Sequence, residues 1–175
     1  MKNILTILVS VAIILSLASS CKKEKMPDSL PPITTEGKGT FGCKINGEIW
    51  IPKTQDEFLG NNFNLYSIYE EDLPKRISVV ASKIYDDFKQ EFAIFIYEPI
   101  TMGVLDTNII NMRYADVNIS IESYKNHKYK QFTNFIITRY DKTNRIVSGT
   151  FEGLLVKSIT KDSIRITEGR FDVRF

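Results

Sequence analysis

From about Thr40 to Phe175 the apolar residues fall in short runs rich in β-branched and aromatic side chains, each broken by turn-forming residues. No helical i, i+3, i+4 pattern lasts longer than two turns. Side chains alternating with period two give a strand one dry face and one wet face, so this pattern predicts an all-β fold. The expected architecture for residues 39–175 is one domain, an antiparallel β-sandwich of about 8–10 strands. A flattened, partly open β-barrel is the alternative. Nothing recurs at a fixed period, which argues against a solenoid or propeller.

The firmest local signal is Phe41-Gly42-Cys43-Lys44-Ile45, then Asn46-Gly47, then Glu48-Ile49-Trp50-Ile51-Pro52. Asn-Gly tolerates the two positive φ angles of a type I′ turn, so a two-residue loop pairs Ile45 with Glu48 and Cys43 with Trp50. Phe41, Cys43, Ile45 and Trp50 then share the core face. Pro52, without an N–H, ends the pairing. Further strands are expected at Phe63–Tyr69, Arg76–Ile84, Phe92–Tyr97, Asp116–Tyr124, Lys128–Thr133 and Phe135–Tyr140. In Asp116–Tyr124, Val117, Ile119 and Ile121 point inward. Thr101–Asn111 reads as a turn around Gly103 or a single helical turn.

Two long strands, Arg145–Val156 and Ser163–Phe175, flank a polar turn at Lys157–Asp162. Val147, Phe151 and Leu155 share one face of the first. In the second, Ile164 and Ile166 are even-numbered while Phe171, Val173 and Phe175 are odd. Parity changes only through an inserted residue, so a bulge is expected at Glu168-Gly169, with Gly169 supplying φ > 0. Phe175 makes the C-terminus read as a core strand.

The opening of the chain has another pattern. Met1-Lys2-Asn3 carries one positive charge, and an apolar run from Ile4 to Ala18 follows, interrupted by Thr6, Ser10 and Ser16. The run is short of the ~20 residues that span a bilayer, and charge followed by apolar residues is the order of an export leader. Small residues Ala18-Ser19-Ser20 precede Cys21, as the narrow site of a lipoprotein signal peptidase requires. Leu17-Ala18-Ser19-Ser20-Cys21 resembles a bacterial lipobox, with Ala18 where Leu is commoner. The resemblance implies a signal peptide at 1–20 and lipid attachment at Cys21, with diacylglycerol on its sulfur and acylation of its freed amine. Several acyl chains, at ~0.8 kcal/mol per buried CH₂, anchor a protein firmly. An ordinary secretory signal and an uncleaved anchor helix are the other readings.

Residues 21–38 read as the flexible tether of a lipid-anchored domain, with docking onto that domain as the alternative. Lys22–Pro32 lacks apolar periodicity and holds three of the six prolines. At ~3.1 Å per residue, roughly fifteen residues in polyproline II would reach ~45 Å. Lys22-Lys23-Glu24 resembles a weakened form of the acidic signal that sends some Bacteroidota lipoproteins to the cell surface. The expected location is the outer membrane, on its periplasmic or its exposed face.

Composition narrows the partners. With 43% hydrophobic and 25% charged residues the chain is globular in type, neither disordered nor collagenous. The net charge is +2, and losing residues 1–20 removes only Lys2. A nucleic-acid module normally carries a concentrated basic surplus, so no nucleic-acid partner is expected, and membrane contact should come from the lipid alone.

Three stretches carry a resemblance: Leu30–Cys43 with Thr34-Thr35-Glu36-Gly37-Lys38-Gly39, Asn46-Gly47 with Trp50-Ile51-Pro52, and Val147-Ser148-Gly149-Thr150-Phe151-Glu152 with Thr167-Glu168-Gly169-Arg170-Phe171-Asp172-Val173. Together they resemble small, functionally uncharacterised envelope lipoproteins of Bacteroidota. The resemblance implies secretion, a lipid anchor and a β-rich domain, and it supplies no catalytic residue. The middle, from about Glu57 to Lys130, carries none of it.

Candidate chemistry is thin. Cys43 is the thiol that remains after lipidation, and His127, in a polar stretch, is the single imidazole; a small hydrophobe opposite Trp50 is the favoured reading of Cys43. One histidine and no cysteine cluster do not make a structural zinc site, and neither Glu70-Glu71-Asp72 nor Asp86-Asp87 has calcium-loop spacing, so no metal or cofactor is expected. Gly37, Gly39 and Gly42 could cradle a phosphate, but with no helix following they read as a loop entering a strand. Lys125-Asn126-His127-Lys128-Tyr129-Lys130 reads as a solvated hairpin tip.

Eight tyrosines, Tyr66, Tyr69, Tyr85, Tyr97, Tyr114, Tyr124, Tyr129 and Tyr140, could stack on sugars or line the half-wet face of a sheet. The expected role is therefore a non-catalytic binding or structural domain of the cell envelope, with a glycan or an envelope protein as partner. A glycan- or small-ligand-binding module is the alternative, and an envelope hydrolase with two carboxylates from distant strands comes after it.

Overall fold

The computed structural model describes residues 29–54, 64–85, 88–116, 123–126 and 133–175. Strands β1 (Thr40–Ile45) and β2 (Glu48–Trp50) form the expected hairpin. Asn46 and Gly47 both take positive φ, 51° and 89°, and the register pairs Ile45 with Glu48 and Cys43 with Trp50. Phe41, Cys43 and Trp50 are buried, while Ile45 packs half-buried against them. Past Pro52 the chain forms β3 (Lys53–Thr54), which runs parallel to β5 (Arg76–Tyr85).

β4 (Leu65–Glu70) and β6 (Phe88–Tyr97) flank β5. Then come β7 (Gly103–Val104), β8 (Ile110–Asp116), β9 (Tyr124–Asn126), β10 (Thr133–Asp141), β11 (Ile146–Lys157) and β12 (Ser163–Arg174). These twelve exceed the expected number because β3 and β7 are two-residue strands with no apolar alternation of their own.

The fold is all-β and the sheet is not closed into a barrel. Its order is β2-β1-β12-β11-β9-β8-β6-β5-β3, with β10 also on β11 and β4 also on β5. Rings from strands that share no ladder meet across the core. Phe92 of β6 lies 5.5 Å from Phe41 of β1 and 5.5 Å from Phe151 of β11. The sheet therefore folds over itself into two packed layers, with the inward residues of β5, β6 and β8 against those of β1, β10, β11 and β12. Trp50 keeps its polar end satisfied there, donating from Nε1 to Gln90 at 2.8 Å.

Three stretches resolve further than the sequence expectation. First, the ambiguous stretch before Asn111 resolves into β7, a 3-10 turn at Thr107–Ile109 and the start of β8. Asp106 caps that turn, accepting from the Asn108 amide at 2.8 Å. β8 thus begins at Ile110, with Ile110, Met112 and Tyr114 inward, and ends at Asp116, where a strand was expected to begin. Val117, Ile119, Ile121, Phe63 and most of Lys128–Thr133 lie outside the described residues.

Second, the bulge in β12 is present, but its positive φ belongs to Glu168, at 52°. Gly42 pairs with Arg170 and Lys44 with Thr167, so Cys43 stands opposite both Glu168 and Gly169. Gly169 is needed for space: a Cβ there would lie 2.5 Å from the carbonyl oxygen and ring carbons of Phe151. The inserted residue moves the dry face from Ile164 and Ile166 to Phe171 and Val173.

Third, Ser29–Lys38, within the stretch read as a flexible tether, lies against the domain as a strap. Leu30 and Pro31 sit directly over Gly42, where a Cβ would come within 2.8 Å of the proline ring.

Candidate functional site

The strap is held by an exchange of backbone polar groups. Asp172 sits on the outward parity of β12, between inward Phe171 and Val173, and is nonetheless only 1% exposed. One carboxylate oxygen accepts from the Thr34 hydroxyl at 2.6 Å and from the Glu36 and Lys38 amides at 3.1 Å each. The other accepts from the Gly37 amide at 2.7 Å and the Ser148 hydroxyl at 2.6 Å. Burial pushes this carboxyl upward, but the donors from Ser148, Thr34, Lys38 and Gly37 outweigh it and hold its pKa down at about 2.

The glycine-rich loop does cradle an anion, and the anion is the chain's own carboxylate. Three successive N–H groups, with Gly37 at φ 71°, form a nest around it. Arginines take the strap's carbonyls in return. Arg139 donates to Thr35 at 2.7 Å, Arg170 to Pro31 at 3.2 Å and Arg174 to Glu36 at 3.1 Å.

Between the strap and the domain runs an open groove of about 530 Å³. Leu30, Pro31 and Pro32 line it from the strap, and Ile51, Pro52 and Leu65 from the domain. Lys38 and Asn64 contribute polar groups. Its lining is mixed, about as polar as apolar, and it is open to solvent.

A second cluster gathers on Glu98. Tyr140 donates to it at 2.8 Å, Tyr69 at 3.4 Å, the Lys142 ammonium lies 2.9 Å away, and the Ile100 amide donates at 3.0 Å. Phe175 packs near both tyrosine rings, 6.0 and 6.2 Å between centroids. Burial raises the Glu98 pKa, but Lys142, Tyr140 and Ile100 more than offset that and lower it. Burial and the bond to Glu98 push Tyr140 up to about 12, and the bond to Glu98 raises Lys142. Each shift moves its group's pKa further from 7, so Glu98 and Lys142 stay charged, Tyr140 stays a neutral phenol, and no proton is poised for transfer.

The described tyrosines do not form one row. Tyr66 is exposed on β4, Tyr114 is buried beside Trp50, Tyr124 leans on Tyr114, and Tyr69 and Tyr140 serve Glu98. Tyr97 lies under the Arg76 guanidinium, while Tyr129 and the side chain of Tyr85 lie outside the described residues, as do His127 and Cys21. Cys43 is fully buried, and burial pushes its thiol pKa well above the ordinary range. Among the described residues no group of three His, Cys, Asp or Glu is arranged to hold a metal ion.

No protein-family model, curated protein or solved structure matches this chain. Its site must be read from its own geometry, and there the sequence reading missed Asp172, Ser148 and Thr34. A signal was present: Thr34–Gly39 and Phe171-Asp172-Val173 both belong to the stretches that carry the resemblance, and the fold brings them into contact.

Proposed function

We propose that the chain is an envelope lipoprotein, attached to the outer membrane through lipid on Cys21, whose β domain acts by binding or as structure and not by catalysis. The observation that supports this most is the strap. The stretch that follows Cys21 is, from Ser29 onward, built into the outer face of the domain.

Replacing Cys21 with Ala should release the protein from the membrane fraction and abolish palmitate labelling. Retention of the variant in membranes would overturn the lipoprotein reading.

The groove favours a second reading, a glycan- or small-ligand-binding module. Asn64 lines the groove, while Tyr66, 53% exposed, presents a ring for stacking on a sugar on the outer face of β4. A glycan array followed by titration calorimetry should find saturable binding that weakens about tenfold or more in Asn64→Ala, for the groove, or in Tyr66→Ala, for the outer face of β4. Saturable binding untouched by both substitutions would place the site elsewhere.

A further inference from the structure

Among the described residues, Asp172 is a hub with no counter-ion in its first ring of contacts. Its partners are three backbone amides of the strap and two hydroxyls, one from the strap and one from β11. The cations nearby are occupied otherwise: Arg139, Arg170 and Arg174 bond the carbonyls of Thr35, Pro31 and Glu36. Donors of the strap thus converge on one carboxylate, while its acceptors are spread over three separate side chains. Loss of any arginine leaves two grips; loss of the carboxylate strands three part-buried amides at once, and such amides without partners favour release into water.

We infer that Asp172 is the latch of a clasp that holds the anchor-proximal segment on the domain and thereby sets how far the domain stands from the membrane. The inference rests on the lipid attachment at Cys21 proposed above. Leu30 is nine residues beyond Cys21, and Thr40, where β1 begins, is nineteen beyond it. At full extension nine residues reach about 30 Å and nineteen about 65 Å. Closing the clasp therefore halves the maximum reach of the domain.

The test uses the lipidated protein in vesicles, with Asp172→Asn compared against the native chain. Hydrogen exchange at the Glu36, Gly37 and Lys38 amides should accelerate by about a hundredfold or more in the variant, with β11 amides unchanged. Energy transfer from a dye on Leu73→Cys, at an 89% exposed position, to a headgroup acceptor should fall as the domain moves outward.

Unchanged exchange at the three amides overturns the clasp. Accelerated exchange with unchanged transfer overturns its control of height. Should Asp172→Asn unfold the whole domain, Thr34→Val, which removes one donor outside the sheet, decides: faster exchange confined to the strap supports the latch, and none overturns it. A native chain that carries no lipid would sink the lipoprotein reading while leaving the exchange result standing.

Discussion

At Gly169 a Cβ would lie 2.5 Å from Phe151, whereas the positive φ of the bulge falls on Glu168, where a side chain is tolerated. Close approach and backbone conformation are separate demands for glycine, and here they sit on adjacent residues. Gly169→Ala should therefore cost roughly 2–3 kcal/mol, since Phe151 is buried and cannot yield freely. Glu168→Gly should change stability by less than about 1 kcal/mol, relief of the left-handed backbone offsetting the loss of exposed ion pairs with Lys44 and Arg170. Urea midpoints of the two variants check this, and the reverse order would show that conformation sets the requirement.

Among the elements, those with their own turn or parity chemistry were legible from the chain. Asn46-Gly47 dictated the first hairpin to the residue, and the switch from Ile166 to Phe171 located the bulge. β8 was missed although Ile110, Met112 and Tyr114 alternate cleanly, because the residues from Thr101 to Asn111 read as a turn around Gly103 or a helical turn. The strap could not be read at all from periodicity. It docks largely through backbone amides and carbonyls, groups every residue carries, so the sequence shows an unpatterned run rich in prolines, threonines and glycines. Its receptor was hidden for a similar reason: an aspartate on the outward parity of a strand reads as solvated until something is seen to cover it.

For the molecule as a whole, the clasp ties stability to acid. A carboxyl held at about 2 when folded and near its ordinary value of about 4 when unfolded stabilises the fold fully above that ordinary value. The contribution is lost as pH falls from about 4 toward 2, where the folded carboxylate also takes its proton. Urea midpoints of the native chain and of Asp172→Asn should therefore differ most near pH 6 and converge as pH approaches 2. A gap that stays constant across this range would show that the carboxylate charge does not contribute.

The strand order carries a further consequence, for how the chain is made. β12, the last strand in sequence, lies between β11 and β1, the first, so Phe41 finds its ladder partner in Phe171. Contacts between such distant residues form slowly. A chain emerging end first from a ribosome or a channel keeps β1 with β2 as its partner and a bare second edge until β12 arrives. Late closure of this kind keeps a polypeptide threadable throughout its passage, and it places on other factors the task of guarding the unpaired edge in the meantime.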